Sequence, residues 1–261
     1  EKELRELVAA GYREITLLGQ NVNSYGKNLE HPITFAELLR RVEKVEGLER
    51  IRFMTSHPKD LSDELIETMR DSKKICSHLH LPLQSGSSEI LKRMNRKYSK
   101  EQYLALVEKL RAAIPDISLT TDIIVGFPGE TDADFETTRE FLEKVHFYEM
   151  HVFPYSRRAG TRADRMPDQV PEPVKKERSA VLLKLEKKMS GEYRESFLGT
   201  EQEILLEEPV TIDSEVCMTG YTKEYVKAAV RLDGRDPKML KNTFVRGTLK
   251  EFLTEEIMLL S

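Results

Sequence analysis

The most constraining feature of this sequence is a short apolar segment that recurs about every thirty residues and is followed each time by a polar or glycine-rich loop. Five segments fit this description: Glu14–Leu18, Arg50–Met54, His78–Leu83, Ile117–Val125 and Tyr148–Phe153. Helical patterns separate them, and strands that alternate with helices are typical of parallel βαβ units. Because the polar loops always follow the strands, we expect them to meet on one rim, as in the active-site face of a barrel.

One of these loops has a pattern that is typical of a ligand-binding turn. The segment Thr121–Thr131 reads TDIIVGFPGET, in which a β-rich run ends at Gly126-Phe127-Pro128-Gly129. Two glycines around a proline allow backbone groups to approach a ligand where Cβ atoms would collide. Thr131 can then cap the helix that follows. An ordinary βα turn with nothing bound is the alternative, and the motif alone does not exclude it.

The pattern changes after the proline-rich linker Pro167–Pro173 and a long helix, about Val174–Phe197. From Thr200 the helical periodicity is lost, and short strands alternate with Gly, Pro, Asn and Asp, which predicts a small all-β barrel or sandwich. We therefore expect an α/β core over residues 1–166, a linker and packing helix over 167–199, and a small β-domain over 200–261. The first helix, Glu1–Ala10, has no cap, so we expect the chain to be cut from something longer.

Charge is balanced overall but unevenly distributed. Lys and Arg number 41 against 45 Asp and Glu, a net charge of −4 that neither demands nor excludes nucleic acid. Two stretches are basic, Lys92–Arg111 at net +5 and Ser156–Leu198 at net +4, whereas the residues from Thr200 onward are acidic. Basic patches suit phosphates, although a solvated helix face is the alternative for Lys92–Arg111.

The cysteine content and the hydropathy indicate a protein of a reducing compartment. Cys76 and Cys217 lie far apart, which argues against a disulfide framework, and two cysteines cannot hold an iron–sulfur cluster unaided. No apolar run reaches the length of a membrane span and no signal peptide opens the chain. We therefore expect a cytoplasmic protein without a membrane partner.

Four segments together carry a family resemblance: EITLLGQNVNSYG, HLPLQSGSSEILKRMNRKY, TDIIVGFPGET and FPYSRRAGT. In this order and spacing they closely resemble the radical S-adenosylmethionine (SAM) methylthiotransferases over essentially the whole chain. GQNVNSYG resembles the tRNA-modifying branch, which acts on isopentenyladenosine next to the anticodon. The resemblance implies a partial, open radical SAM βα barrel followed by a TRAM, OB-like β-barrel from Thr200. It also implies insertion of a methylthio group at C2 of the adenine.

The sequence departs from the family pattern in its cysteines. The family carries a CxxxCxxC triad for one [4Fe–4S] cluster and three further cysteines in an N-terminal domain for a second. Neither set is present, and Cys76 and Cys217 match neither. The resemblance thus implies two clusters in the intact protein with ligands upstream of this chain, no metal ligand within it, and no activity for the chain alone.

The resemblance also implies a set of SAM-binding residues on the strand ends, while it identifies no catalytic residue. Gly19, Gln20 and Asn21 correspond to the site of the methionine amino group. Ser56 and His57 are placed near the carboxylate or the substrate, with a structural loop histidine as the alternative for His57. The ribose hydroxyls are assigned to Gln84, Ser85, Thr121 and Asp122. The adenine is assigned to the turn at Gly126, with Val125 or Phe127 against it, and Tyr155 closes the ring of loops.

The implied partners are tRNA and an electron donor such as flavodoxin or ferredoxin, and we expect a monomer. The residues expected to contact RNA are four arginines just before the proline-rich linker, which we call the linker arginines, and three basic residues of the β-barrel: Arg157, Arg158, Arg162, Arg165, Lys223, Lys227 and Arg246. Two alternatives remain. One is a ribosomal-protein aspartate methylthiotransferase, against which GQNVNSYG argues, and the other is a non-catalytic tRNA-binding module, which the missing cysteines permit.

Overall fold

A computed structural model describes residues 1–261. Five parallel strands form an open sheet: β1 (Glu14–Leu17), β2 (Arg50–Phe53), β3 (His78–His80), β4 (Ser118–Val125) and β5 (Glu149–Pro154). Seven helices precede or flank them: α1 (Lys2–Ala9), α2 (Phe35–Val42), α3 (Asp63–Asp71), α4 (Ser88–Arg93), α5 (Lys100–Ala113), α6 (Asp132–Val145) and α7 (Glu172–Glu195). The remaining elements are β6 (Glu201–Ile212), β7 (Glu215–Tyr221), β8 (Lys227–Arg231), α8 (Pro237–Leu240), β9 (Phe244–Phe252) and β10 (Met258–Leu260).

The five strands of the open sheet lie in sequence order. β1 pairs with β2, and β3, β4 and β5 pair with one another, all in parallel. Two contacts join the pairs into one surface: a parallel bridge between Ile51 and Ile75, and a 3.2 Å hydrogen bond from the Ser56 N–H to the His80 carbonyl. The carboxyl ends of all five strands therefore lie on one rim, and the expected α/β architecture is confirmed.

Two elements are shorter than the sequence predicts. β3 ends at His80 and does not continue to Leu83, because Pro82 has no N–H to donate and the Tyr98 and Tyr103 hydroxyls bind the carbonyls of Leu83 and Leu81. The capping-box sequence Thr34-Phe35-Ala36-Glu37 predicts a helix to about Glu46. α2 starts at this box but stops at Val42, where tighter i→i+3 hydrogen bonds replace the helical ones.

The helices cover one face of the sheet and enclose the main hydrophobic core. Leu79, Leu119 and Ile123 from the sheet are fully buried in this core. α7 adds Leu182 and Met189 to it, which fixes the long helix against β5. No helix in the structure combines the length and the apolar character needed to cross a membrane.

The C-terminal strands close into a five-stranded barrel in the order β10-β8-β7-β6-β9. Its interior is filled by residues such as Ile204, Met218 and Leu249, none of them accessible to solvent. The expected small all-β unit is thus confirmed. One strand is much longer than predicted: the pattern predicts a strand over Glu203–Leu206, but β6 extends over 12 residues, since it pairs with both β7 and β9.

The β-barrel is fixed to β2 by two buried arginines, Arg50 and Arg52. The Arg50 guanidinium donates to the carbonyls of Tyr221 (2.8 Å) and Glu203 (2.5 Å), and Arg52 donates to the carbonyl of Thr222 at 2.6 Å. Glu14 on β1 accepts a 2.8 Å hydrogen bond from Arg52. The barrel therefore closes the end of the open sheet opposite to the loop-bearing rim.

Candidate active site

The face of the sheet that points away from the main core is polar. Alternate residues of a strand share a face, and on β3, β4 and β5 this face presents the following side chains: His78, His80, Thr120, Asp122, Glu149 and His151. A cavity of about 860 Å³ lies between this face, α7 and the β-barrel. The open sheet thus has a lumen, with the rim loops at one end and the β-barrel at the other.

The backbone is strained at the rim in two positions. Thr55, directly after β2, has φ of 61°, and Gln84, beyond β3, has φ of 75°. Such left-handed conformations of residues with a Cβ cost about 1–3 kcal/mol each and are concentrated at functional sites. Gln84 is held there by hydrogen bonds with Asp122 and Ile124 of β4. The strain therefore belongs to the ends of the strands, where the sequence predicts the cofactor.

Three of the predicted cofactor-binding residues carry buried polar atoms without a hydrogen-bond partner in the protein. They are the Asn21 Oδ1, the Ser56 Oγ and the Tyr155 hydroxyl, which follow β1, β2 and β5. The amide of Asn21 is oriented by its Nδ2, which donates to Asp60 at 2.7 Å. A buried polar group left without a partner costs about 1–3 kcal/mol. These three atoms therefore suit a polar ligand at the rim.

The turn after β4 is braced by buried charges from α7. The Glu130 carboxylate accepts a 2.8 Å hydrogen bond from the Gly126 N–H and forms an ion pair with the Arg178 guanidinium at 2.6 Å. Burial raises the pKa of Glu130, although the Gly126 N–H and Arg178 both oppose this shift. Gly126 has φ of 71°, and a Cβ there would collide with the side chain of Lys175. The turn is thus held in one conformation by its own glutamate and by α7.

The loop after β5 is tied to the same helix. The buried Lys175 donates from Nζ to the carbonyl of Tyr155 at 2.9 Å. The rings of Tyr155 and Phe127 pack edge to face, with 5.2 Å between their centroids. Sequence reasoning missed Glu130, Lys175 and Arg178 as parts of the site. The basic stretch Ser156–Leu198 is consequently less positive at its surface than its composition suggests, because three of its cations, Lys175, Arg178 and Arg194, are buried.

The remaining predicted ligands lie in different settings. Gly19 and Gln20 are exposed beside the edge strand β1. Ser85 is fully buried and receives a hydrogen bond from the Ser87 N–H, while the Thr121 hydroxyl donates to the Leu81 carbonyl and accepts from the Leu83 N–H. The structure does not bring Ser85 or Thr121 to the lumen, since both hydroxyls are engaged within the fold.

Asp122 lies inside the lumen, below the rim. It precedes the end of β4 by three residues and is placed directly opposite His151 in the β4–β5 register. Its Oδ2 is 3.5 Å from the Nε2 of His80. Val125, by contrast, is buried in the main core at the end of the strand. Asp122 and Gln84 are therefore at different levels of the lumen, although the sequence assigned them to the same ribose.

The predicted RNA-contacting residues differ in how free their charges are. Arg158, Arg162 and Arg165 are exposed and have no ion pair, whereas Arg157 pairs with Asp164 at 3.0 Å. The basic residues of the β-barrel are engaged: Lys223 donates to the carbonyl of Lys73, Lys227 lies 3.8 Å from Glu208, and Arg246 pairs with Glu203 at 2.6 Å. Arg158, Arg162 and Arg165 are thus the cations of this set without an ion pair.

The two cysteines do not fit an iron–sulfur cluster. Cys76 is buried before β3, where burial raises the pKa of its thiol to about 11. Cys217 is buried in β7 of the β-barrel, and burial raises its pKa as well. A cluster needs several thiolates converging on one point, and these two thiols are in separate structural units.

Comparisons with known proteins agree with the architecture. The model of the Radical SAM superfamily matches residues 1–142. The tRNA-2-methylthio-N(6)-dimethylallyladenosine synthase of Acetivibrio thermocellus is 57% identical over 222 residues, which cover 85% of this chain and 46% of that protein. The enzyme of the same name from Finegoldia magna is 51% identical over 241 residues, or 92% and 52% of the two chains. This chain therefore spans about half the length of these curated relatives.

Among solved structures, coproporphyrinogen III oxidase from Escherichia coli, described as a radical SAM enzyme, superposes with a TM-score of 0.52. The superposition covers 73% of this chain and 45% of that one at 19% sequence identity. At this level of identity the likeness concerns the fold alone.

Proposed function

The chain belongs to the radical SAM superfamily, and from this premise we propose that it is the SAM-binding half of a tRNA methylthiotransferase. The substrate we propose is N6-dimethylallyladenosine next to the anticodon, the nucleoside in the names of the curated relatives. The activity is assigned to the intact protein, because this chain spans about half of those relatives.

The observation that carries this proposal is the set of three unpartnered polar atoms at the rim, on Asn21, Ser56 and Tyr155. SAM carries an ammonium, a carboxylate and a ribose diol, which are the complementary groups for an amide oxygen and two hydroxyls. In our proposal Gly19, Gln20 and Asn21 receive the ammonium, and Ser56 the carboxylate.

The other half of the cofactor is assigned to the loops after β3, β4 and β5. The ribose is assigned to Gln84, which the strained backbone holds at the rim, and the Tyr155 hydroxyl closes the site. The adenine is assigned to the turn at Gly126 and Phe127. When bound, SAM supplies the 5′-deoxyadenosyl group that removes hydrogen from the adenine C2 of the tRNA.

The residues of this chain act by positioning and by excluding water. α7 fixes two rim loops through Arg178 and Lys175, and the β-barrel closes the far end of the lumen through Arg50 and Arg52. A ligand bound at the rim would therefore sit over a lumen whose far end the β-barrel covers, and polar contacts shielded from water are stronger than exposed ones.

The iron–sulfur chemistry is assigned to the part of the relatives that this chain does not span, because Cys76 and Cys217 do not fit a cluster. We propose two [4Fe–4S] clusters there and reduction by a flavodoxin or ferredoxin. We further propose that the intact protein is cytoplasmic and monomeric. The TRAM-like β-barrel and the linker arginines Arg158, Arg162 and Arg165 are proposed to bind tRNA.

The test is a chimera in which the amino-terminal half of the Acetivibrio thermocellus relative is joined to residues 1–261 and its clusters are reconstituted anaerobically. We expect 5′-deoxyadenosine and methylthiolated tRNA when the tRNA carries dimethylallyladenosine. The matched variants are Tyr155→Phe at the rim and Tyr12→Phe, an exposed tyrosine far from it. Only the first should reduce SAM binding.

Three outcomes would contradict the proposal. A chimera that binds tRNA but forms no 5′-deoxyadenosine would be a non-catalytic tRNA-binding module. Methylthiolation of a ribosomal-protein aspartate in place of tRNA would assign the chain to the other branch. Equal SAM affinity of the Tyr155→Phe and parent chimeras would show that the cofactor lies elsewhere.

A further inference from the structure

Two histidines and a carboxylate converge inside the lumen, below the rim. His80 comes from β3, Asp122 from β4 and His151 from β5, and one potential ligand atom from each lies within 4.8 Å of the other two. His80 is buried, Asp122 is half-buried and His151 is exposed to the cavity. Three neighbouring strands in register thus bring three ligand-type side chains to one point.

Two of the three groups, the Asp122 carboxylate and the His151 ring, have no hydrogen-bond partner elsewhere in the protein, and no Lys or Arg pairs with Asp122. The 3.5 Å between His80 Nε2 and Asp122 Oδ2 exceeds a good N–H···O distance of about 2.7–3.2 Å. Two ligand atoms bound to one ion at about 2.0–2.1 Å with tetrahedral angles lie roughly 3.3–3.4 Å apart. The 3.5 Å between His80 and Asp122 is close to that spacing, and the ligand atom of His151 lies within 4.8 Å of both.

One ring nitrogen of His80 is held by the neighbouring Thr120 hydroxyl. Its Nδ1 is 2.9 Å from the Thr120 hydroxyl, which also lies 3.2 Å from the Nε2 of His78. This leaves the Nε2 of His80 directed towards Asp122. Metal-binding histidines characteristically bond their other ring nitrogen to a fixed neighbour, which sets the tautomer and the orientation of the ring. In this site Thr120 is the neighbour that orients the His80 ring.

We propose that His80, Asp122 and His151 form a binding site for a divalent first-row transition-metal ion, with zinc as the reference ion. Two imidazoles and one carboxylate are a ligand set for zinc or non-haem iron, and three protein ligands leave positions open for an exogenous ligand. Those positions face the cavity, which His151 and Thr120 line. Glu149, opposite Thr120 in the register, adds negative charge beside the site.

This site is independent of the SAM assignment and is tested on the chain itself. The untagged protein of 261 residues is stripped with a chelator and titrated with Co²⁺, whose visible absorption reports nitrogen and oxygen ligation. Uptake of Zn²⁺ is measured by elemental analysis after equilibrium dialysis, and thermal unfolding is followed with and without Zn²⁺, since an ion that binds the folded state raises Tm.

The variants separate metal binding from structural damage. We expect one equivalent of metal and a raised Tm in the parent chain. Binding should be weaker by at least about tenfold in Asp122→Asn and His151→Gln, and by roughly 10–100-fold in Thr120→Val. His151 is exposed, so its variant tests the site without disturbing the core. The control is His146→Gln, which removes a histidine that pairs with Glu192 at 3.0 Å on the surface.

The proposal is overturned if the parent takes up no stoichiometric Co²⁺ or Zn²⁺, or if His151→Gln binds metal as tightly as the parent and the control. Adenosine binding that is lost in Asp122→Asn, without any metal uptake by the parent, would also overturn it and would make the three side chains a nucleobase contact.

Discussion

The ring of Tyr225 lies nearly parallel to the ring of His78, with 4.6 Å between their centroids and 18° between their planes. Tyr221 stacks on the other side of Tyr225 at 4.6 Å and 15°. His78 belongs to the open sheet and both tyrosines to the β-barrel, so the stack crosses the interface between the two. Burial lowers the pKa of His78 to about 3, against an ordinary value of 6.5.

This stack predicts acid sensitivity. In the window from pH 6.5 down to about 3, the unfolded chain binds a proton that the folded chain excludes, so the free energy of unfolding falls as the pH falls. One such proton contributes at most about 1.4 kcal/mol per pH unit, or about 2 kcal/mol between pH 7 and pH 5. Denaturant unfolding of the parent and of His78→Phe, which keeps a stacking ring, measures the difference.

The variant should lose part of this pH dependence, because Phe has no proton to bind. His31→Gln, a change in the exposed loop before α2, serves as the control and should follow the parent. Identical pH profiles for His78→Phe and the parent would show that the histidine is not held neutral by the fold.

Arg50 is predicted to be the main attachment of the β-barrel. Replacing it with Met would leave the carbonyls of Tyr221 and Glu203 without their charged donor at a buried interface. We expect a loss of about 3 kcal/mol in the free energy of unfolding, since removing one partner of a buried charged contact leaves the other unsatisfied. Chemical denaturation measures it, and Arg70→Met, at an exposed arginine that pairs with Asp71, is the matched control.

Two hydroxyls at the rim should matter for SAM and not for folding. Ser56→Ala and Tyr155→Phe remove groups that have no partner in the protein, so the free energy of unfolding should stay unchanged or rise slightly. SAM affinity, read by calorimetry on the chimera, should fall about tenfold, or about 1.4 kcal/mol.

The control is a hydroxyl of the β-barrel, that of Thr219, whose removal should affect stability and not SAM affinity. The Thr219 hydroxyl donates to the Glu208 carbonyl within the β-barrel, so Thr219→Val should lower stability and leave SAM affinity as it is. The rim assignment fails if Ser56→Ala and Tyr155→Phe destabilise the fold and leave the affinity for SAM unchanged.

The affinity for tRNA should depend on salt concentration through the linker arginines. Arg158 is exposed and unpaired, whereas Arg246 is already paired with Glu203. Each lost phosphate contact lowers the log–log salt slope by about 0.7–0.9, so Arg158→Ala should reduce the slope and Arg246→Ala should change it less. Fluorescence titrations at several salt concentrations read both quantities, and the reverse order would place the phosphate contacts on the β-barrel.

The sequence predicted the order of strands and helices, the helix caps at Thr34 and Thr131, and the β-barrel, because these depend on local periodicity and on short capping motifs. It also predicted which loops lie on the rim, since in a parallel sheet every strand ends on the same side. Asn21, Ser56 and Tyr155 followed from that rule together with the family resemblance, and their unpartnered atoms support the prediction without testing it.

The sequence could not predict where long-range partners meet. Arg178 has the local pattern of an exposed helix residue. It is buried nonetheless, because it forms an ion pair with Glu130, which lies 48 positions away in the chain. The meeting of Asp122 with His151 depends on the register of β4 against β5, which no local pattern fixes. An alternating His-Leu-His-Leu segment showed that two histidines share a face, but it did not show what that face meets.

Most hydrogen bonds from Arg50 and Arg52 to the β-barrel end on main-chain oxygens, those of residues 203, 221, 222 and 223. The Glu203 carboxylate and the rings of Phe244 and Tyr225 add side-chain contacts. A carbonyl oxygen is present whatever side chain its residue carries. Most substitutions in those turns would therefore preserve the acceptors, provided that the backbone keeps its path. Most of the β-barrel surface can thus change in sequence without loss of the main-chain hydrogen bonds that attach it to the sheet.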